Sequence, residues 1–190
     1  LARPELTVLV VMGDGDALAI GGNHFIHAAR RNIDLTAFIY NNHIYGMTGG
    51  QVSPTTPTGK TATTAPYGNI EQSFDVMRLS EAAGASFAAR GTVFDTDRLD
   101  ELVERAIQKK GFSVLEILSP CPTIYGRHNK LGSAVDMLRR LEEETIPADD
   151  AEQVAEAVRS GKIPTGIFVD VTRPEFCESY EAVIKKAQGK

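Results

Sequence analysis

The sequence predicts an α/β fold, a mostly parallel sheet flanked by helices. Residues 6–12 (LTVLVVM) form an unbroken run rich in β-branched side chains, as expected of a strand buried on both faces of a parallel sheet. A glycine-rich turn at residues 13–16 (GDGD), a helix-like stretch at 17–31 and a second apolar run at 33–40 (IDLTAFIY) complete a βαβ unit. Helix-like and strand-like segments then keep alternating to the end of the chain, which favours a parallel sheet over separate α and β halves.

Element by element, residues 41–69 are rich in Thr, Gly and Pro and carry no periodicity, so they read either as a mobile surface loop or as the wall of a site. A helix is predicted over 70–83, closed by Gly84, and a short strand over 86–89. A second helix is predicted over 95–110, with Asp95 or Thr96 as its cap and Lys109, Lys110 and Gly111 suited to its C-terminus. Residues 112–118 (FSVLEIL) read as a further strand, and 119–132 as a second polar loop. Helices are predicted over 133–144, 150–160 and 176–187, with an edge strand at 166–171.

The 190 residues are 42% hydrophobic and 24% charged, the balance of a globular chain with a sizeable core. Lys and Arg total 20 against 25 Asp and Glu, and a net charge of −5 argues against nucleic-acid or anionic-membrane partners. No apolar run has transmembrane length and no secretory signal opens the chain. Two cysteines, Cys121 and Cys177, cannot make a disulfide scaffold, so a cytoplasmic location is expected. The first residue is Leu1 and not Met, which fits a chain processed, cut or encoded without its natural front.

In open α/β sheets, ligands sit beyond the carboxyl ends of the strands. Two such ends carry chemistry here: Gly13-Asp14-Gly15-Asp16 and Asn41-Asn42, with 26 residues between the GDG turn and Asn42. Either motif alone is a common strand terminator. Together, on adjacent strands, they would set Asp14 and Asn42 side by side, a carboxylate and an amide oxygen suited to Mg²⁺. The helix that starts near Asp16 would point its N-terminus at the same place and attract phosphate. The residues therefore imply a Mg²⁺–diphosphate site.

This arrangement resembles the thiamine diphosphate motif, and the likeness extends further. Residues 13–60, from GDGDALAIGGNH to YNNHIYGMTGGQVSPTTPTGK, resemble the β subunit of 2-oxoacid:ferredoxin oxidoreductases, most nearly the 2-oxoglutarate type with its archaeal members. PYGN at 66–69, EAAGASFAAR at 81–90 and GFSVLEILSPCPTIYGRHN at 111–129 continue the resemblance, which thins after Gly132 and returns in GIFVDVTRPEFCESY. It implies a thiamine diphosphate-binding, pyrophosphate-domain fold. Residues 1–132 would be the cofactor domain, and 133–190 a C-terminal helical extension packed on it.

The resemblance further implies Asp14, Asn42 and the backbone carbonyl of Ile44 as Mg²⁺ ligands. Gly13, Gly15 and Asp16 would be at the diphosphate, and Tyr45, Gly46, Met47 and Thr48 in the cofactor pocket. Cys121, in SPCP, would be one ligand of a 4Fe–4S cluster. Such a cluster normally takes four cysteines, and the family's others precede the position of Leu1. The activating Glu would come from a partner α subunit, with further small subunits, ferredoxin, coenzyme A and the 2-oxoacid as other partners. The implied reaction takes 2-oxoglutarate, coenzyme A and oxidised ferredoxin to succinyl-CoA, CO₂ and reduced ferredoxin. Pyruvate or branched-chain 2-oxoacids, a non-oxidative thiamine diphosphate enzyme and a non-catalytic assembly subunit are the alternatives.

Other polar residues point to structure rather than chemistry. His24 and His27, three apart on one helix, are expected to pack or hydrogen-bond, although His24 could reach the substrate pocket. The side chain of His43 is expected to turn away from that of Asn42, and Cys177 to be structural or exposed; Arg127 could bind a carboxylate or an acyl-carrier phosphate, with a surface salt bridge the favoured reading.

Overall fold

The computed structural model describes all residues except 1, 2, 4, 149 and 190. Among the described residues the strands are β1 (Leu9–Gly13), β2 (Leu35–Asn41), β3 (Phe87–Thr92), β4 (Phe112–Leu118), β5 (Thr145–Pro147) and β6 (Ile163–Asp170). The helices are α1 (Gly22–Arg31), α2 (Val76–Ala83), α3 (Thr96–Gln108), α4 (Ala134–Glu144), α5 (Ala151–Arg159) and α6 (Phe176–Ala187). The six strands form one sheet in the order β1-β2-β4-β3-β6-β5. Every pairing is parallel except β3 with β6.

Two apolar layers sandwich the sheet. Phe25 and Ala29 of α1 and Val76 and Met77 of α2 pack on one face, over Ala37, Ile39, Val114 and Phe112. Leu102 and Ala106 of α3 cover the other face, over Phe38, Phe87, Leu115 and Ile117. β4 lies at the centre and all seven of its residues are buried, which explains why its sequence shows no alternation.

Local signals explain the helix ends. The Asp75 side chain accepts from the N–H groups of Met77 and Arg78 and starts α2, which Gly84 closes at φ 90°. Asp95 caps α3 through the Arg98 N–H, and Ser133 and Asp136 form a reciprocal capping box on α4. The aperiodic segment extends to Asp75, so α2 is shorter than the predicted 70–83.

Four expectations are corrected. β1 is not buried on both faces: it is the sheet edge, and Val8, Leu9, Val10 and Val11 are exposed. The predicted helix over 17–31 is a π-helical turn, Asp16–Ile20, followed by α1. The Gly21 N–H bonds back to the Asp16 carbonyl at 2.8 Å, leaving no room for a side chain at 21. Residues 133–190 are not a helical extension alone, because they supply β5 and β6 to the same sheet. Nor is 166–171 an edge strand: β6 starts at Ile163 and lies between β3 and β5.

The stretch 42–75 has no helix or strand beyond two isolated bridges, yet it is well packed. Ile44 and Ala62 join Tyr125 and Met137 in a third apolar cluster, and Ser53, Thr55, Thr56 and Asn69 are buried. These residues pack the stretch against the rest of the fold rather than leaving it loose on the surface.

Candidate functional site

β1 and β2 are in parallel register, with Gly13 opposite Tyr40. The two motifs therefore leave the sheet at neighbouring points on its carboxyl edge, where ligands of such sheets collect. Asp14 is 1% exposed. Its Oδ2 accepts the hydroxyls of Ser53 and Thr55, each at 2.5 Å, and it makes no ion pair among the described residues. A buried carboxylate without a cation is costly in a folded chain, and hydroxyl donors offset only part of that cost.

The turn after β2 is tightly specified. Asn41 Oδ1 accepts the His43 N–H at 3.1 Å, and Asn42 Oδ1 accepts the Ile44 N–H at 3.2 Å. These successive Asx turns hold His43 at φ 64°, in the left-handed region. The His43 ring does turn away from Asn42: its Nδ1 lies 3.0 Å from the Thr55 carbonyl and the ring packs on Tyr125. Ile44 is buried through its side chain, and no described donor reaches its carbonyl oxygen. A carboxylate, an amide oxygen and an unpartnered carbonyl make an all-oxygen donor set of the kind hard divalent cations take.

Tyr45 ties the two motifs together. Its hydroxyl donates to the Gly15 carbonyl at 2.8 Å, and its ring lies where a side chain at 15 would stand. Burial, followed by the negative charges of Asp14 and Asp16, raises its phenol pKa above the ordinary value, so it stays a donor at neutral pH. Beyond it, residues 45–51 fold into a compact turn. Gly50 N–H donates to the Tyr45 carbonyl, and Thr48 and Gln51 bond each other. Met47 is fully exposed and Thr48 is exposed, with Gly46 half-buried. Gly13 and Asp16 are also exposed.

Beneath the site runs a buried polar chain that the sequence reading missed. Asn41 Nδ2 donates to Glu116 Oε1 at 2.7 Å, and Arg90 Nε donates to Glu116 Oε2 at 2.6 Å. Arg90 also reaches Asp75 at 3.1 Å and the Pro164 carbonyl at 3.3 Å. Burial works against the Arg90 charge, but Glu116 and then Asp75 outweigh it and raise its pKa further. The available signal was a lone acid inside an otherwise apolar strand, FSVLEIL, since such a group needs a buried partner. A cavity of about 430 Å³ opens beside this chain, lined by Asn42, His43, Thr55, Arg90 and Glu116 among others, but by none of residues 13–16.

The remaining candidates are not drawn into the cluster. His24 and His27 are exposed, so neither packs as expected, although Arg30 Nε donates to His27 Nδ1 at 3.4 Å. Arg127 is exposed and has no ion pair among the described residues, contrary to the expected surface salt bridge. Cys121 and Cys177 are free thiols, each half-buried. Cys121 stands beside Gly46, 3.7 Å from where a side-chain carbon at 46 would be. Among the described residues, no three His, Cys, Asp or Glu side chains gather as a metal centre.

Residues 1–117 match the family model for the C-terminal TPP-binding domain of thiamine pyrophosphate enzymes. The 2-oxoglutarate synthase subunit KorB of Methanocaldococcus jannaschii is 50% identical over 189 residues, covering 100% of this chain and 70% of the relative. Its counterpart in Archaeoglobus fulgidus is 46% identical over 193 residues, covering 100% and 69%. Among solved structures, a 2-oxoglutarate:ferredoxin oxidoreductase from Magnetococcus marinus, with 2-oxoglutarate, coenzyme A and succinyl-CoA bound, superposes with a TM-score of 0.84 at 32% identity. That match covers 99% of this chain and 64% of the other. The sheet and its edge cluster are those of a thiamine pyrophosphate enzyme's cofactor domain; within that class, the chain belongs to the KorB family of 2-oxoglutarate synthase subunits. It spans about two thirds of the length of these relatives.

Proposed function

We propose that this chain is the thiamine diphosphate-carrying β subunit of a 2-oxoglutarate:ferredoxin oxidoreductase. It would work with a partner α subunit to convert 2-oxoglutarate and coenzyme A to succinyl-CoA and CO₂ while reducing ferredoxin. The observation that carries this reading is Asp14: a buried carboxylate without a cationic partner among the described residues, linked through Thr55 to an Asx-locked turn, in a chain half identical to a KorB subunit.

In this reading Asp14, Asn42 and the Ile44 carbonyl hold Mg²⁺. Gly13, Gly15 and Asp16, where the chain enters its first helical turn, receive the diphosphate with main-chain N–H groups. Tyr45, Gly46, Met47 and Thr48 wall the cofactor. When bound, thiamine diphosphate would supply the carbon that bonds to the keto carbon of the 2-oxoacid and the ring that takes up the electron pair left behind as CO₂ departs. The chain's own residues hold the diphosphate end, fix the Tyr45 ring over Gly15 and keep that hydroxyl protonated. The Glu that activates the cofactor belongs to the partner in this scheme. The exposure of Met47, Tyr67, Ile70 and Ile20 supports a covered, multi-subunit site.

Cys121 would be one ligand of a 4Fe–4S cluster; Cys177 is not assigned to it, and the other cysteines would have to come from outside these 190 residues. A cytoplasmic setting, where free thiols stay reduced, belongs to the same reading. Among the described residues no helix is long and apolar enough to cross a membrane.

The test is anaerobic dye reduction by the complex containing this chain, with thiamine diphosphate, Mg²⁺ and coenzyme A, across several 2-oxoacids. Reduction with 2-oxoglutarate and little with pyruvate is expected. Preference for pyruvate or a branched-chain acid would overturn the substrate assignment, and no reduction with any 2-oxoacid would overturn the class.

A further inference from the structure

We infer that Glu116, Asn41 and Thr55 form a positioning relay that sets the geometry of the cation site, an inference that rests on the Mg²⁺ reading above. Glu116 lies in the middle of β4, 2% exposed, opposite Ile39 of β2. Both of its oxygens are committed, Oε2 to Arg90 and Oε1 to Asn41. The Arg90 N–H donates to one of these oxygens, and the other accepts from Asn41, while the His43 N–H donates to Asn41 Oδ1. The Asn41 amide therefore has one orientation: its NH₂ faces Glu116 and its oxygen faces the loop.

That oxygen does two things. It accepts the His43 N–H and so closes the turn that carries Asn42 and Ile44, holding His43 in its left-handed conformation. It also lies 2.9 Å from the Thr55 hydroxyl, which is 2.5 Å from Asp14 Oδ2. One hydroxyl proton thus stands between the amide oxygen and the carboxylate. The buried Glu116 charge, on a strand that contributes no ligand, fixes one end of each arm: Asp14 through Thr55, and the Asn42–Ile44 turn through His43. Outer-shell groups of this kind orient metal ligands in many sites, and their loss costs about 10- to 100-fold in metal affinity.

The experiment uses the full chain in complex with its partner subunit and measures thiamine diphosphate binding by calorimetry as Mg²⁺ is varied. Thermal melting is followed without cofactor, and Mn²⁺ is substituted for electron paramagnetic resonance. Thr55→Val keeps shape and removes the hydroxyl; Glu116→Gln removes the charge; Leu115→Ala, on the opposite face of β4, is the stability control. The relay variants should raise half-saturating Mg²⁺ by about 10- to 100-fold and alter the Mn²⁺ spectrum. Leu115→Ala should lower only the melting temperature. Relay variants that shift melting alone, with half-saturation unmoved, overturn the relay and leave the cation site standing. Should Glu116→Gln fail to fold, Thr55→Val decides by itself. Wild-type binding with no divalent-ion requirement overturns the cation site and the relay with it.

Discussion

The Tyr45 hydroxyl donates to the Gly15 carbonyl at 2.8 Å, and two of its ring carbons lie 2.4 Å from where a Cβ at residue 15 would be. Glycine at 15 is required by that ring, since its φ of −66° suits any residue. Gly15→Ala should therefore displace Tyr45 and weaken cofactor binding, while Gly15→Ala combined with Tyr45→Ala should fold with the clash relieved. Tyr45→Phe should keep the packing and lose about 0.5–1.5 kcal/mol of stability. Melting temperatures of the three variants decide the point; an unperturbed Gly15→Ala would refute it.

Asp14→Ala should abolish Mg²⁺-dependent thiamine diphosphate binding while the fold survives, because Asp14 sits at a strand end and its two hydroxyl donors can pair with each other across 3.1 Å. Calorimetric titration beside far-ultraviolet circular dichroism checks both halves. Unchanged affinity would remove Asp14 from the site.

Cys121→Ala should spare cofactor binding but slow electron transfer out of the reconstituted complex. Equal dye-reduction rates for variant and wild type would remove the thiol from any cluster.

Arg90→Leu should destabilise the chain by about 3–5 kcal/mol, because it leaves Glu116 buried and unpaired. Arg90→Leu with Glu116→Leu should recover much of that loss, since apolar pairs often replace buried ion pairs at little cost. Urea denaturation of the single and double variants measures the coupling.

Glu175 gives a pH prediction. Burial alone would raise its pKa, but the N–H groups of Cys177 and Glu178, with Lys110 nearby, outweigh it and hold the carboxyl below the ordinary range. A depressed folded-state pKa adds stability that is complete above the unfolded value, about 4.3, and disappears as pH falls through the folded one. The melting-temperature gap between wild type and Glu175→Gln should thus be full at pH 7 and narrow as pH falls below about 4.3. A constant gap would contradict the assignment.

The sequence was most legible where a local signal decides the structure. FSVLEIL at 112–118 and the helix over 176–187 are legible to the residue; Gly84, lacking a side chain, closes α2 at a positive φ, and the Asp95 carboxylate starts α3. Asp14 and the Asn42 turn could be paired because strand, turn and helix follow one another in the chain. What was illegible depends on neighbours distant in sequence. Whether LTVLVVM is an interior or an edge strand is a matter of what pairs beside it. The Arg90–Glu116 bond joins residues 26 apart, and Ser53 and Thr55 reach Asp14 from a segment with no periodicity at all.

The outer rim of β1 bears on how the chain behaves in the test tube. Among the described residues no strand pairs with that rim, which carries a row of valines and leucines, the kind of template on which like molecules stack into aggregates. Concentration, more than temperature, should therefore limit the handling of this chain by itself. Gatekeeping charges along that rim are the route to material that tolerates high concentration.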